Sequence, residues 1–539
     1  MFERIRHNGW YLALTTVTIA AATGLSWHFF SLPLDPWPDQ AATLQAAIRL
    51  SNGLGLTTVG LGTDITQPAV VWLINWPPGY PLIVAALLKA GMDVETAVKS
   101  INAGALLLGT AGWIGLAMRY LSRKSVLAIF CGLIVVSCGA LVPKGGTMDY
   151  LLWAAIPYWM RLMLSLRELG PQRAVLPLVI LASVVVAAMI GIRWAAAVFV
   201  PSGCLILFWG HWNSRDWRRQ LSPIVVFAVP PTLLFMFLGW FNRKQSGIGA
   251  TVLSYVEPRW QLEKLLTAYP LENLTTIPIG LEPLLKRIWR FVDPVQSEMA
   301  LGLLLGVIVP AMLVSTCIWY RARSRREHPW GPLDIVIVTT LLLQVGLLAF
   351  LSARYNWTSL NWSYLEEPRY FRPFLPAIAL WWLVLLERLG TAFNRVRIGL
   401  SLLLAVAIGY LLQAHIRWEF EYLTKPDPTI GLVSKVLELS SVKNKSIVFD
   451  VDSSKYVSSD RAGMLVYAYP DPLQTQRLTA SRPVDIWIVR RPKERAPYQI
   501  DPDFNQKRFS ALQARFDAVI AWSSPDGDFE IYHARLSGN

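Results

Sequence analysis

The sequence predicts a polytopic α-helical membrane protein of about eleven spans, followed by a small α/β domain outside the membrane. Three observations carry that expectation. Of the 539 residues, 54% are hydrophobic and only 16% charged, with a mean hydropathy of +0.39, whereas soluble domains carry about 25% charged residues. Apolar runs of spanning length recur as far as Gln413, and alternate turns between them are rich in Arg and Lys, the pattern of cytoplasmic loops. From about Thr424 the composition becomes that of a soluble domain.

Taken in order, Met1–His7 carries Arg4 and Arg6 and leads into an apolar segment from Trp10 to Phe30. No small-residue cleavage site follows, so it reads as a retained first span with its N-terminus in the cytoplasm. The outer loop 32–96 comes next and holds Asp35, Asp39 and the run Trp76-Pro77-Pro78-Gly79-Tyr80-Pro81. Pro77 restrains Trp76 to an extended shape and Gly79 permits a turn. Tyr80–Leu88 then reads as a short apolar helix lying along the membrane, too short to cross it.

Spans follow at Ala97–Met118, Val126–Val142, Leu151–Leu166, Val175–Ile192, Ala195–Phe208 and Ile224–Phe241. Their inner ends meet Arg119, Arg123 and Lys124, then Arg167 and Arg173, then Arg215, Arg218 and Arg219. A long outer loop, 242–298, mixes charges of both signs, and Leu284–Phe291 within it reads as a basic amphipathic helix suited to a membrane surface. The last spans are Met299–Trp319, Leu333–Leu351, Phe371–Leu386 and Ile398–Gln413, with a second polar outer loop at Arg354–Arg369. This divides the chain into a membrane domain, 1–423, and a soluble extracytoplasmic domain, 424–539. In the latter, Ser446–Val451, Leu465–Ala468, Asp485–Val489 and Phe529–Ala534 read as strands, and Gly431–Leu439 and Phe509–Phe516 as helices.

The net charge of +14 follows from the cytoplasmic arginines. The basic residues form no continuous stripe, which argues against nucleic acid as a partner. Cys131, Cys138, Cys204 and Cys317 all fall in apolar segments, and the six histidines show no zinc-site spacing.

The residues able to carry chemistry gather on the outer face. Asp39 is the first, because a carboxylate at a membrane boundary is costly to keep and is a functional hypothesis by default. Asp149 opens a span on the same face, where it also suits a helix N-terminus, and two carboxylates there can serve as base and orienting partner. Arg193, with Arg369, Tyr370 and Arg372 in Glu366-Glu367-Pro368-Arg369-Tyr370-Phe371-Arg372, forms an outer basic set that runs against the positive-inside trend. Arginine clamps phosphate through two N–H bonds, and the alternative is interfacial snorkelling.

Together Pro38-Asp39-Gln40-Ala41, Pro77-Pro78-Gly79-Tyr80-Pro81, Asp149 and Pro368-Arg369-Tyr370 resemble the GT-C superfamily of integral-membrane glycosyltransferases. The nearer likeness is to protein O-mannosyltransferases and the lipid A aminoarabinose transferase. The resemblance spans Trp10 to Gln413. Many relatives carry an Asp-Glu pair in the first loop, and here the second residue is Gln40.

The resemblance implies a polyprenyl-phosphate-linked sugar donor and an acceptor hydroxyl on a protein, lipid or glycan outside the cytoplasm, with inversion at the anomeric carbon. It implies Asp39 as general base with Asp149 beside it, and Arg193, Arg369, Tyr370, Arg372 and Tyr80 as substrate-binding residues. It leaves open a divalent cation held by the two carboxylates. It also implies a multi-pass protein of the plasma or inner membrane that serves the cell envelope. A transporter or flippase of lipid-linked sugars is the competing class. It should show paired interrupted helices and midplane charges, and the sequence shows no such symmetry.

Overall fold

The computed structural model describes residues 2–34, 38–74, 76–141, 148–169, 175–211, 217–246, 331–355, 370–388, 394–424, 428–440, 446–450, 465–491, 504–525 and 527–537, with isolated residues elsewhere. The helices in chain order are α1 (Phe2–Gly24), α2 (Trp27–Ser31) and α3 (Pro38–Ser51), then strands β1 (Thr57–Gly60) and β2 (Ala69–Trp72). Next come α4 (Gly79–Lys89), α5 (Val94–Tyr120), α6 (Lys124–Leu141), α7 (Met148–Leu169), α8 (Leu176–Ile192), α9 (Phe199–His211) and α10 (Trp217–Ser246). They are followed by α11 (Pro332–Arg354), α12 (Leu375–Glu387), α13 (Asn394–Thr424) and α14 (Pro428–Ser440). The C-terminal part holds β3 (Ser446–Asp450), β4 (Leu465–Tyr467), α15 (Pro472–Gln476), β5 (Val484–Arg490), α16 (Phe504–Phe516), β6 (Val519–Ser523) and β7 (Glu530–Leu536).

This is a polytopic α-helical membrane protein with a C-terminal α/β sheet region. Among the described residues, Val94–Tyr120, Leu221–Ser246, Pro332–Arg354 and Asn394–Glu421 are each long and apolar enough to cross a membrane, and further apolar helices are shorter. Each expected span except Met299–Trp319 coincides with a helix. That one, like Leu284–Phe291 and most of loop 242–298, lies largely outside the described residues.

The chain forms two compact units. The first comprises Met1–Phe30, Ile74–Tyr80 and Ser100–Phe420. Its helices approach closely where side chains are small, as membrane interfaces require. A Cβ added to Gly109 would lie 2.1 Å from the Trp153 ring, and the Trp113 indole donates to the Trp153 carbonyl at 3.1 Å. At the start of α11, the fully buried Asp334 accepts from Arg388 at 2.8 Å and from the Trp381 indole at 3.0 Å.

The second unit comprises Ser31–Leu73, Pro81–Lys99 and Glu421–Asn539. The segment 31–73 therefore groups with the C-terminal residues. Its β1 and β2 form an antiparallel hairpin, Thr57 opposite Trp72. Arg49 of α3 donates to the Thr57 hydroxyl at 2.8 Å, and the Val59 N–H donates to the Gln45 side chain at 2.9 Å. Between the strands, Ile65 is wholly buried in a core with Ile447, Phe449, Ile486 and Leu512.

The five-stranded sheet has the order β4-β3-β5-β7-β6. β3 runs parallel to β4 and β5, while β7 is antiparallel to β5 and β6. Four of these strands match the sequence expectation. The fifth, β6, has no counterpart in it: this is an edge strand with Val519 and Ile520 exposed, so its apolar residues show no inward alternation. At the ends of β3 and β5, Asp450 accepts from Arg491 at 3.0 and 2.9 Å and from the Tyr456 hydroxyl at 2.8 Å. All three are buried.

Candidate functional site

The first unit draws several of the singled-out residues to one place. Arg193 stands where α8 stops. Its backbone is extended, φ −148° and ψ 127°, while its N–H still donates to the Met189 carbonyl. A turn of 3-10 helix, Trp194–Val198, restarts the chain immediately after. The break frees the Arg193 side chain from the row of α8 side chains, and α7 and α8 pack against each other.

Asp149 lies in the first turn of α7, where the helix N-terminus favours an anion. Arg193 Nε donates to its Oδ1 at 2.8 Å, with side-chain exposures of 7% and 15%. The guanidinium also lies 4.9 Å from the Trp76 ring centroid and 5.8 Å from that of Tyr370. Two aromatic rings and one carboxylate thus surround one cation, an arrangement that suits a planar, weakly hydrated guanidinium.

Trp76 and Tyr80 arrive through the double-proline run. At Gly79, an added Cβ would lie 2.4 Å from the Gly191 carbonyl oxygen, so only glycine lets this turn seat against the end of α8 beside Arg193. Tyr80 is fully buried and its hydroxyl has no hydrogen-bond partner. Burial pushes the phenol pKa upward, so it stays a neutral donor.

Tyr370 opens the turn that leads into the 3-10 segment Arg372–Phe374, which packs on α7. Phe371 is fully buried against Leu348 of α11, and Phe374 stacks on Phe199 at 5.2 Å. The Gln344 side-chain amide donates to the Tyr370 carbonyl at 3.4 Å. Arg372 is half-buried in that turn. Phe374, Trp159, Met160 and Ile337 line a small apolar cavity of about 10 Å³.

Of the expected site residues, Asp149, Arg193, Tyr370 and the Trp76–Tyr80 run come together. Arg369 lies outside the described residues, as does Asp35. Asp39 belongs to the second unit, in the first turn of α3, and is exposed. No group of three His, Cys, Asp or Glu side chains that could hold a metal ion gathers among the described residues.

Gln344 is not among the residues that the sequence singles out. Its signal was available: it is the lone amide in the apolar run Leu341–Leu351, and polar groups inside spanning helices mark function more often than chance.

No protein-family profile matches the sequence, and no curated protein does. Solved structures do match. ArnT from Cupriavidus metallidurans in the apo state aligns with a TM-score of 0.55 at 12% identity, covering 98% of each chain. The same protein bound to undecaprenyl phosphate aligns with a TM-score of 0.51 at 11% identity, covering 97% of this chain and 98% of that one. The Archaeoglobus fulgidus oligosaccharyltransferase in complex with Zn and sulfate aligns with a TM-score of 0.51 at 11% identity, covering 96% of this chain and 72% of that one. Both are GT-C proteins, and the fold of the present chain is the GT-C fold.

Proposed function

We propose, with the GT-C fold as premise, that the protein is a glycosyltransferase that moves a sugar from a polyprenyl-phosphate-linked donor to an acceptor hydroxyl outside the cytoplasm. The observation that carries this reading is Arg193, held by Asp149 and framed by Trp76 and Tyr370. A guanidinium fixed at a helix break and flanked by two aromatic rings is suited to receive an oxyanion. ArnT, of the same fold, has been crystallised with undecaprenyl phosphate.

In this reading Arg193, Tyr80 and the arginines at 369 and 372 hold the donor phosphate, and the isoprenoid chain stays in the bilayer. The acceptor oxygen forms a bond to the anomeric carbon from the face opposite the phosphate. Its proton passes to the Asp39 carboxylate, and the bond from that carbon to the phosphate oxygen breaks with its electron pair, releasing polyprenyl phosphate. Arg193 stabilises the charge that grows on the leaving oxygen. Asp149 keeps the guanidinium oriented between its two rings. No step is assigned to a metal ion.

The test uses membranes of cells that make the full chain. Asp39→Asn should leave folding and lipid retention intact while the sugar-bearing polyprenyl phosphate accumulates unspent, a general base being worth about 10²–10⁴-fold in rate. Unchanged turnover in Asp39→Asn removes Asp39 from the base role. Lipid carried across the membrane with its sugar still attached replaces the transferase by a transporter.

A further inference from the structure

We infer that Gln344 binds the transferred sugar itself, through its side-chain carbonyl oxygen. The inference rests on the transferase reading above and adds a residue and a chemical role to it.

Gln344 lies inside the spanning helix α11 and is 1% exposed. Its Nε2 donates to the Tyr370 carbonyl at 3.4 Å, which ties one end of the amide to the turn whose tyrosine ring covers Arg193. One helical turn along, Leu348 packs on Phe371, so a single face of α11 grips residues 370 and 371. The amide is therefore tied by one bond to the turn that carries Tyr370, and the next helical turn packs on Phe371.

Its other end is unsatisfied. Oε1 is buried and accepts no hydrogen bond. In a spanning helix neither lipid nor bulk water can satisfy it, and such orphans are rare in folded chains. Leucine or methionine would fill the position without that penalty.

The chemistry of the missing partner is specified by the atom. Oε1 is a neutral acceptor, so it needs a donor. Of the three parts of a polyprenyl-phosphate-linked sugar, the isoprenoid offers no polar hydrogen and the ionised phosphate only accepts. The sugar alone donates, through a hydroxyl or an amino group. Gln344 thus reads the donor as glycosylated, where Arg193 reads it as phosphorylated.

The experiment works whichever sugar the donor carries. The full-length protein is purified from membranes, and its retained lipids are identified by mass spectrometry as bare or sugar-bearing polyprenyl phosphate. Gln344→Met, close in shape and without polar atoms, should lower the ratio of sugar-bearing to bare lipid about tenfold, the effect of one buried hydrogen bond. Total lipid retention and the melting temperature should stay the same or rise. Gln344→Leu serves as a second variant should the first misfold. An unchanged ratio, an equal loss of both lipids, or a wild-type protein holding only bare lipid overturns the role of Gln344 and leaves the transferase reading in place. A wild-type protein that retains no polyprenyl phosphate at all removes both.

Discussion

Arg193 shows how much of a site one residue can organise. Its charge is partly desolvated, so it needs Asp149, and its flat faces need Trp76 and Tyr370. Arg193→Lys keeps the charge but loses the planar fork and the ring contacts. Retention of polyprenyl phosphate should therefore fall about tenfold at nearly constant melting temperature. Equal retention by the lysine variant would reduce Arg193 to a bare positive charge.

The individual charges were legible in the sequence because charge is scarce in a membrane protein. The partnership of Asp149 with Arg193 was not, since 44 residues and two helices separate them. Gln344 went unread because its neutral amide adds nothing to a charge pattern.

At the scale of elements, the double-proline run and α8 meet at two glycines that are not equivalent. A Cβ on Gly79 would collide with the Gly191 backbone, whereas a Cβ on Gly191 meets nothing within 4 Å. Gly79→Ala should cost roughly 1–3 kcal/mol by overpacking and draw Trp76 off Arg193, lowering lipid retention. Gly191→Ala, near the end of a helix, should be neutral or gain up to about 1 kcal/mol. Thermal unfolding in detergent compares the two, and equal effects would remove the close approach as the reason for glycine at position 79.

Most helices were legible from apolar run length alone. The hairpin of β1 and β2 was not, because its strands are only four residues each and Ile65 finds its apolar cover in residues hundreds of positions later. A single isoleucine between Asp64 and Thr66 gives no periodicity to read.

At the scale of the whole molecule, the second unit is stitched from distant parts of the chain. Ile65 N–H donates to the Thr479 carbonyl and Thr479 N–H to the Thr63 carbonyl, each at 2.9 Å. The Asp64 carboxylate accepts from the Thr66 N–H and hydroxyl and from the Ser481 N–H. Burial alone would raise the Asp64 pKa, but the bonds from Ser481 and Thr66 outweigh it and bring it down from 3.8 to about 2. A carboxylate with a depressed pKa stabilises the fold above its unfolded value and loses that contribution as pH falls. Protection of the hairpin from proteolysis should therefore hold from neutral pH down to about 4 and weaken toward 2. Asp64→Asn should lower that protection at pH 7 by on the order of 1 kcal/mol, discounted for solvent screening. An identical acid profile in the variant would show that Asp64 contributes nothing to the clamp.

That long-range stitching also imposes a timetable on biogenesis. Residues 57–72 leave the ribosome early, yet Thr479, Ser481 and the strands around Ile65 are made some 400 residues afterwards. At bacterial and eukaryotic elongation rates the gap is roughly 20 to 80 s. During that interval the growing chain already has its early helices, while the segment carrying Asp39 waits for the partners that complete its unit. A nascent protein is thus kept from completing the unit that holds residues 31–73 until its last strands have been made, and chains that stall before β3 would lack the core that covers Ile65.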